Sequence, residues 1–406
     1  MNEIKNGYKK TKVGVIPEEW EVKRLGEVAS FYKGKGISKA EISNIGIECI
    51  RYGELYTKYK EKIINIISKT NIDKEKLFLS KKNDILIPAS GETAIDLATA
   101  SCVLKDNIAL GGDINIIRTK INGIFLSYYL NVIAKTKIAS LAQGVSVIHL
   151  YSSQLKNLFI PLPPLPEQEK IAEILSIWDK AIEKQEELIK EKEILKKGLM
   201  QVLLEKKEGW EVKKLGEVCE ITRGASPRPI SKYITKDSGS VNWLKIGDID
   251  KNAKFITKTK EKITIEGSLK SRVIEPNDFI LSNSMSFGRP YISKIYACIH
   301  DGWLLLKNKN KKVLLNDYLY EILSSDSIKK QFISLAAGSG VKNLKSETVK
   351  NSKIPIPPLP EQEKIASILS TQDKEIDLLK EELGFLKEQK KGLMQRLLTG
   401  EVRVKV

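Results

Sequence analysis

Catalytic raw material is scarce in this sequence. Its 406 residues include two histidines and four cysteines. Cys49, Cys102, Cys219 and Cys298 lie far apart and no pair has CxxC spacing, so a zinc site is not expected. Scattered single thiols fit a reduced, cytoplasmic setting. No GxxxxGK[ST] segment occurs, which excludes a P-loop. "KGKG" at Lys33 contains GxG but lacks the third glycine and does not open a helix, so it is not a dinucleotide fingerprint. The Asn/Asp-Pro-Pro-aromatic motif of amino-methyltransferases is absent. His149 and His300 read as structural, and a protease arrangement around His300 and Asp301 has no support. No apolar run approaches the length that spans a bilayer. The opening "MNEIKNGYKKTKVG" has no apolar stretch behind its charges and is not expected to be a secretory signal.

What is abundant is positive charge, a net +17. Such an excess points to a polyanionic partner, nucleic acid or an acidic membrane surface, although a Lys-rich composition alone can produce it. The length predicts two or three cores rather than one.

The second positive feature is repetition. "PLPPLPEQEKIA" begins at Pro161 and "PIPPLPEQEKIA" at Pro355, 194 positions later. The match runs on to "KKGLMQVLL" at Leu204 and "KKGLMQRLL" at Leu398. Upstream, "EEWEVKRLGEV" at Glu18 matches "EGWEVKKLGEV" at Glu208. A period this long means two whole domains, not a solenoid. Between the shared ends the copies diverge, although "NDILIPASGE" at Asn83 still aligns with "NDFILSNSMS" at Asn277, and "IRYGEL" at Ile50 with "LKIGDI" at Leu244. A further match pairs "GVSVIHL" at Gly144 with "GSGVKNL" near Gly338, which sets His149 against Asn343. The frame is held constant and something inside it varies.

After each Pro-rich opening comes a strong helix. The prolines read as a stiff strand-to-helix connection rather than a polyproline ligand, with Pro166 and Pro360 at the first helical position and acidic residues at the positive end of the dipole. A mostly apolar seam then recurs in alternating steps of four and three: Ile171, Leu175, Trp178, Ile182, Gln185, Ile189, Lys192, Lys196, Leu199 and Leu203 in the first helix. Ile365, Leu369, Gln372, Ile376, Leu379, Leu383, Leu386, Lys390, Leu393 and Leu397 follow in the second. That is a coiled-coil seam, and two such helices in one chain are expected to pack on each other. Each is about 55–60 Å long. Gly198 and Gly392 are expected to let the backbones approach. The helices carry a net −3 between them, so the remainder carries +20.

Each globular half reads as short strands with Gly and Asn turns, followed by late helices, an α+β pattern. Basic, polar and aromatic side chains gather in a few loops. Lys33, Lys35, Arg51, Tyr52, Tyr56, Lys58 and Ser90 are the candidates in the first half. Arg223, Ser226, Arg228, Lys245, Asn283, Ser284 and Arg289 are those in the second. Arg and Lys suit phosphates or guanine edges, Ser and Asn suit phosphates, and Tyr suits sugars or bases.

The duplicated "PLPEQEKIA…KKGLMQ" helices, with "GVIPEEWEVKRLGEV" and "GWEVKKLGEV" opening the halves, resemble the specificity subunit of type I restriction–modification enzymes. The resemblance covers essentially the whole chain. It implies an α+β fold of two similar globular target-recognition domains, separated by two long helices that form an antiparallel coiled coil, with an internal pseudo-two-fold repeat. The corresponding boundaries are 1–160 and 207–354 for the recognition domains, 161–206 for the central helix and 355–406 for the second helix and tail. It further implies a non-catalytic subunit that reads a bipartite, asymmetric site in double-stranded DNA. Two modification subunits would bind it, and restriction/translocase subunits would complete the complex, an adenine-N6 methyltransferase and ATP-dependent endonuclease. S-adenosylmethionine, ATP and Mg would bind those partners and no cofactor or metal would bind this chain. On this view the helices act as a ruler for the gap between half-sites. Two other readings stay open on the residues alone: a protein that modifies or cuts DNA by itself, and a coiled-coil scaffold with no DNA role.

Overall fold

The structure is a computed structural model that describes residues 5–250, 253–283, 288–336 and 344–405. Two compact units divide the chain: residues 1–186 with 381–406, and residues 187–380. The division cuts through both long helices, so each unit owns one end of each. Boundaries drawn at the ends of the helices therefore do not coincide with the compact units.

In the first unit a five-stranded sheet runs Ala29–Lys33, Ile114–Thr119, Ile85–Pro88, Ser101–Val103, Lys62–Ile63. All its pairings are antiparallel except the last. A second sheet of four short strands is ordered Ala109–Leu110, Ile47–Ile50, Ser68–Thr70, Ile42–Ser43. Ile85–Pro88 is buried at every position, as expected of a central strand covered on both faces. Helix Gly123–Val132 and the N-terminal end of the first long helix cover one side, bringing Phe125, Tyr128, Ile171 and Leu175 into the same core as Ile85 and Ile87.

The second unit repeats this plan. Its five-stranded sheet runs Cys219–Arg223, Trp303–Asn308, Phe279–Ser282, Pro290–Ser293, Phe255–Ile256, again with only the last pairing parallel. Helix Asn316–Ser324 and the start of the second long helix cover it, with Tyr318, Ile365 and Leu369 in the core. The α+β class and the internal repeat are thus present in the structure as expected.

The motifs shared by the copies explain themselves as joints of this frame. In "PLPEQ" the glutamate and glutamine are structural. Trp20 Nε1 donates to Glu167 at 3.0 Å and Trp210 Nε1 to Glu361 at 2.9 Å. Gln168 and Gln362 each accept one loop N–H, from Asn122 and Leu315, and donate back to Pro163 and Pro357. In "LGEV" the glutamate accepts the backbone N–H three residues before it, Arg24 to Glu27 and Lys214 to Glu217, a capping turn. In "ND" the asparagines Asn83 and Asn277 both adopt positive φ, and the aspartates close the turn on Lys81 N–H and Glu275 N–H.

The long helices are Leu165–Leu203 and Leu359–Leu398, so Pro166 and Pro360 sit one residue past the start. Within the first unit Asp179 pairs with Lys390, Gln185 with Glu382 at 2.9 Å, and Glu186 with Lys387 at 2.6 Å. Within the second, Lys192 pairs with Glu375 at 2.5 Å and Lys196 with Asp373. Numbers rise on one helix as they fall on the other, so the pairing in each unit is antiparallel. Every predicted seam residue is buried or half-buried, whereas Ile177, Ile194, Val202, Leu378 and Phe385, off the seam, are exposed. The three lysines on the seam, Lys192, Lys196 and Lys390, are tolerated because each meets a carboxylate of the opposite helix, Glu375, Asp373 and Asp179. Gly198 and Gly392 correct the expectation: both are exposed, and a Cβ on either would touch nothing. They lie off the seam and do not serve close approach. Among the described residues no helix is long and apolar enough to cross a membrane.

Candidate nucleic-acid interface

At one end of the sheets in each unit, loops from distant parts of the sequence are drawn together by a glycine. Gly34 N–H donates to the Ile114 carbonyl at 3.3 Å, and Gly224 N–H to Trp303 at 2.9 Å. A Cβ would stand 1.9 Å from the Gly111 carbonyl oxygen in the first case and 2.2 Å from that of His300 in the second. No larger residue fits either place. The next residues continue the match: Lys35 N–H bonds Leu110, and Ala225 N–H bonds Ile299. Gly111 N–H bonds Ile50, and His300 N–H bonds Leu244. These contacts place Gly111, Gly112 and Asp113 opposite His300, Asp301 and Gly302.

Beside this junction each unit projects a basic residue from a capped turn. The N–H groups of Arg51 and Lys245 donate to Glu54 and Asp248, both at 2.9 Å. The cap fixes the backbone and leaves the basic side chain half-exposed at the rim. Lys245 then reaches Glu261 at 2.5 Å. The structure thus brings Lys33, Lys35 and Arg51 around one loop, and Arg223, Ser226, Arg228 and Lys245 around its counterpart. Tyr52 and Tyr56 lie on the short helix Tyr52–Thr57 that follows Arg51, both half-buried, with exposed Lys58 as its C-cap. Burial raises the Tyr56 phenol above its ordinary pKa, reinforced by Tyr52, Glu92 and Asp96, so its hydroxyl is kept as a donor. Arg289 holds its guanidinium 5.9 Å above the Tyr291 ring.

Two candidates are corrected. Ser90 is only 6% exposed and lies in a strand paired with His149. Asn283 is 5% exposed; its Nδ2 donates to the Asp301 carbonyl at 3.0 Å, and its backbone bonds Gly302 and Leu344. Both residues are buried and hold loops together. Ser284, the rest of "SNSMSFGRP" up to Phe287, and the Gly338–Asn343 stretch lie outside the described residues.

Asp301 is the residue that sequence reasoning missed. Its Oδ1 accepts Ser226 Oγ at 3.1 Å and lies 3.0 Å from His300 Nε2. Its Oδ2 is 3.8 Å from the Arg228 guanidinium, and its carbonyl accepts Arg223 Nε at 2.9 Å. His300 Nδ1 accepts the Gly302 N–H at 2.9 Å, which turns Nε2 toward Asp301. The carboxylate stands between serine and histidine, the reverse of a nucleophilic triad, in which histidine must sit between the other two. The signal available in the sequence was adjacency, "HDG" at a strand start, but nothing there announced that four loop residues would converge on it.

The four cysteines are all buried. Burial pushes the thiols up, to about 11 for Cys49 and about 12 for Cys102 and Cys219, so none is a poised nucleophile. Among the described residues no group of three or more His, Cys, Asp or Glu is arranged to hold a metal ion.

Comparison with known proteins bears on the family and the fold. The profile of the type I restriction modification DNA specificity domain matches twice, at residues 17–191 and 207–388. The protein of Methanocaldococcus jannaschii named as the type I restriction enzyme MjaX specificity subunit is 30% identical, over 98% of this chain and 97% of its own length. The MjaVIII specificity subunit of the same organism is 28% identical, over 96% and 94%. Among solved structures, a type I restriction–modification S subunit from M. genitalium shares the fold with a TM-score of 0.60 at 18% identity, covering 97% of both chains. With two copies of the family's domain filling most of its length, the chain belongs to the type I restriction–modification DNA specificity family.

Proposed function

We propose that this chain is the sequence-reading subunit of a type I restriction–modification complex, with each unit contacting one half of a split, asymmetric site in double-stranded DNA. The observation that carries this reading is a frame repeated residue for residue around loops that differ. Gly34 and Gly224, Arg51 and Lys245, and Glu167 and Glu361 keep their roles, while Gly111-Gly112 in one copy becomes His300-Asp301 in the other. Two like partners that dock equivalently require a repeated frame. Two unlike half-sites require unlike loops. The basic surplus in the globular halves supports contact with phosphates.

The chemistry is assigned to the partners. Two modification subunits would transfer methyl groups from S-adenosylmethionine to adenine N6, and restriction/translocase subunits would use ATP and Mg. This chain would supply placement, not a reacting group. The paired helices would set the gap between half-sites, which lie about 34–36 Å apart when read from one face of the duplex.

The test is selection of bound fragments from random DNA by the complex of this chain with its modification subunits. Enrichment of two short blocks separated by a fixed unspecified gap supports the reading. Enrichment of one continuous block, or retention independent of salt, contradicts it.

A further inference from the structure

At the position of Asp301 the first unit has Gly112, with its loop carboxylate one residue later at Asp113, and this difference bears on what each unit reads. Gly112 has no side chain to collect anything. A carboxylate among basic DNA-facing loops repels phosphate, so its presence asks for a reason. Asp301 is committed to neighbours rather than free: Ser226 and His300 hold Oδ1, and Arg228 lies beside Oδ2. Ser226 also accepts the Asp301 N–H at 3.3 Å, so the two residues brace each other. The His300 ring rests edge-on to buried Trp243, 6.1 Å between centroids. The node is therefore anchored to the core on one side. On the other it faces an Arg228 side chain that is 85% exposed.

Arginine at such a place matters by its shape. Its fork matches the O6 and N7 acceptors of guanine, and its value as a reader depends on being held in one orientation. A surface ion pair adds little stability, and at 3.8 Å this one holds the guanidinium loosely, but the braced carboxylate biases it toward one side of the loop before it meets DNA. We infer that Arg228 reads a guanine in the half-site of the second unit and that Asp301 is its positioning residue. The first unit, with glycines there, reads its half-site without this device. The inference rests on the DNA-recognition reading above and adds which unit, which residue and which base.

The experiment maps adenine methylation in a host that expresses the complex with wild-type chain, Arg228→Ala, Arg228→Lys or Asp301→Asn. Arg228→Ala is expected to relax one G·C position in one half of the motif, lowering the preference there by about 10- to 100-fold, and to leave the other half unchanged. Arg228→Lys should relax the same position, because a lysine keeps the charge but not the fork. Asp301→Asn should relax that position more weakly, and the Asp301→Asn/Arg228→Ala pair no further than Arg228→Ala alone. Full recovery of the motif by Arg228→Lys would make Arg228 a phosphate contact and overturn the inference. So would an unchanged motif with methylation uniformly reduced, which is what a purely structural role gives. A wild-type complex that methylates no split motif would instead bring down the functional reading itself. Arg228 lies on the surface, so its variants do not depend on the fold tolerating a buried change.

Discussion

Asp84 and Asp278 occupy the same place in the two copies, yet their removal should not cost the same. Asp84 is 1% exposed at its side chain and is held three ways. It accepts Lys81 N–H at 2.8 Å, Arg118 Nε at 2.8 Å and Arg118 Nη2 at 2.7 Å, a bidentate pair. Arg118 also lies 5.0 Å over Tyr32. Truncation to alanine would leave this guanidinium facing a partnerless site, a change that costs about 3–5 kcal/mol when the pair is buried. Asp278 is 13% exposed and its cation, Lys307, is 3.5 Å away. Lys307 keeps Glu275 at 2.9 Å when Asp278 is gone. Burial also raises the Asp278 carboxyl above its ordinary range, against the turn N–H of Glu275 and Lys307, so its charged form is less favoured at the outset. Its loss should cost about 1–2 kcal/mol, mostly the turn hydrogen bond. Hydrogen exchange of the assembled protein reads each unit separately. In Asp84→Ala, amides of Ile85, Leu86 and Ile87 should exchange about two to four orders of magnitude faster; in Asp278→Ala, those of Phe279–Ser282 should speed up by about tenfold. Equal effects, or a larger one at Asp278, would refute the reasoning.

Glu321 is buried and its carboxyl is pushed up to about 7 by burial, with Lys196 and Lys254 pulling it down and Asp373 and Asp317 raising it further. A folded state that holds this proton more tightly loses stability as pH rises from about 4.5 to 7. Glu321→Gln should therefore be more stable than wild type at pH 8, by about 1–3 kcal/mol, and no more stable at pH 5; a melt showing no pH dependence of the difference would contradict this. Leu175→Ala should cost about 2–5 kcal/mol, because the side chain is fully buried where the first long helix enters its core. Ile194→Ala, 63% exposed on the same helix, should change stability by less than about 0.5 kcal/mol in the same denaturation series. One heptad added to both long helices, about 10 Å, should change the recognised gap between half-sites; an unchanged gap would sink the ruler idea.

What the sequence revealed, and what it hid, divides along one line. Patterns repeated within the chain were readable, because a duplicated frame constrains the same positions twice. The seam was legible down to Ile171 and Leu397, since a period of alternating four and three fixes a face without reference to anything else. Even the odd lysines in it, Lys192, Lys196 and Lys390, have a reason that antiparallel pairing supplies at once, opposite Glu375, Asp373 and Asp179. The loops were legible only as chemistry. Arg223, Ser226 and Arg228 attract notice as residue types, but Ser90 and Asn283 look equally suitable and are buried. Exposure in a loop depends on which other loop covers it, and no local pattern encodes that. Asp301 escaped for the same reason: its meaning comes from residues about 75 positions away that fold beside it. Glu167 and Glu361 also changed meaning. Their place at a helix start suggests a dipole partner, and the structure adds a tryptophan N–H to each.

The central claim, two units of one fold reading two different half-sites, is tested most directly by mapping methylated adenines in DNA from a methylation-free host that expresses this chain with its modification subunits. The account predicts a single asymmetric motif in two blocks, with a fixed unspecified gap and one methylated adenine on each strand. A continuous motif, a symmetric one whose halves are identical, or no motif from a complex that assembles would contradict it.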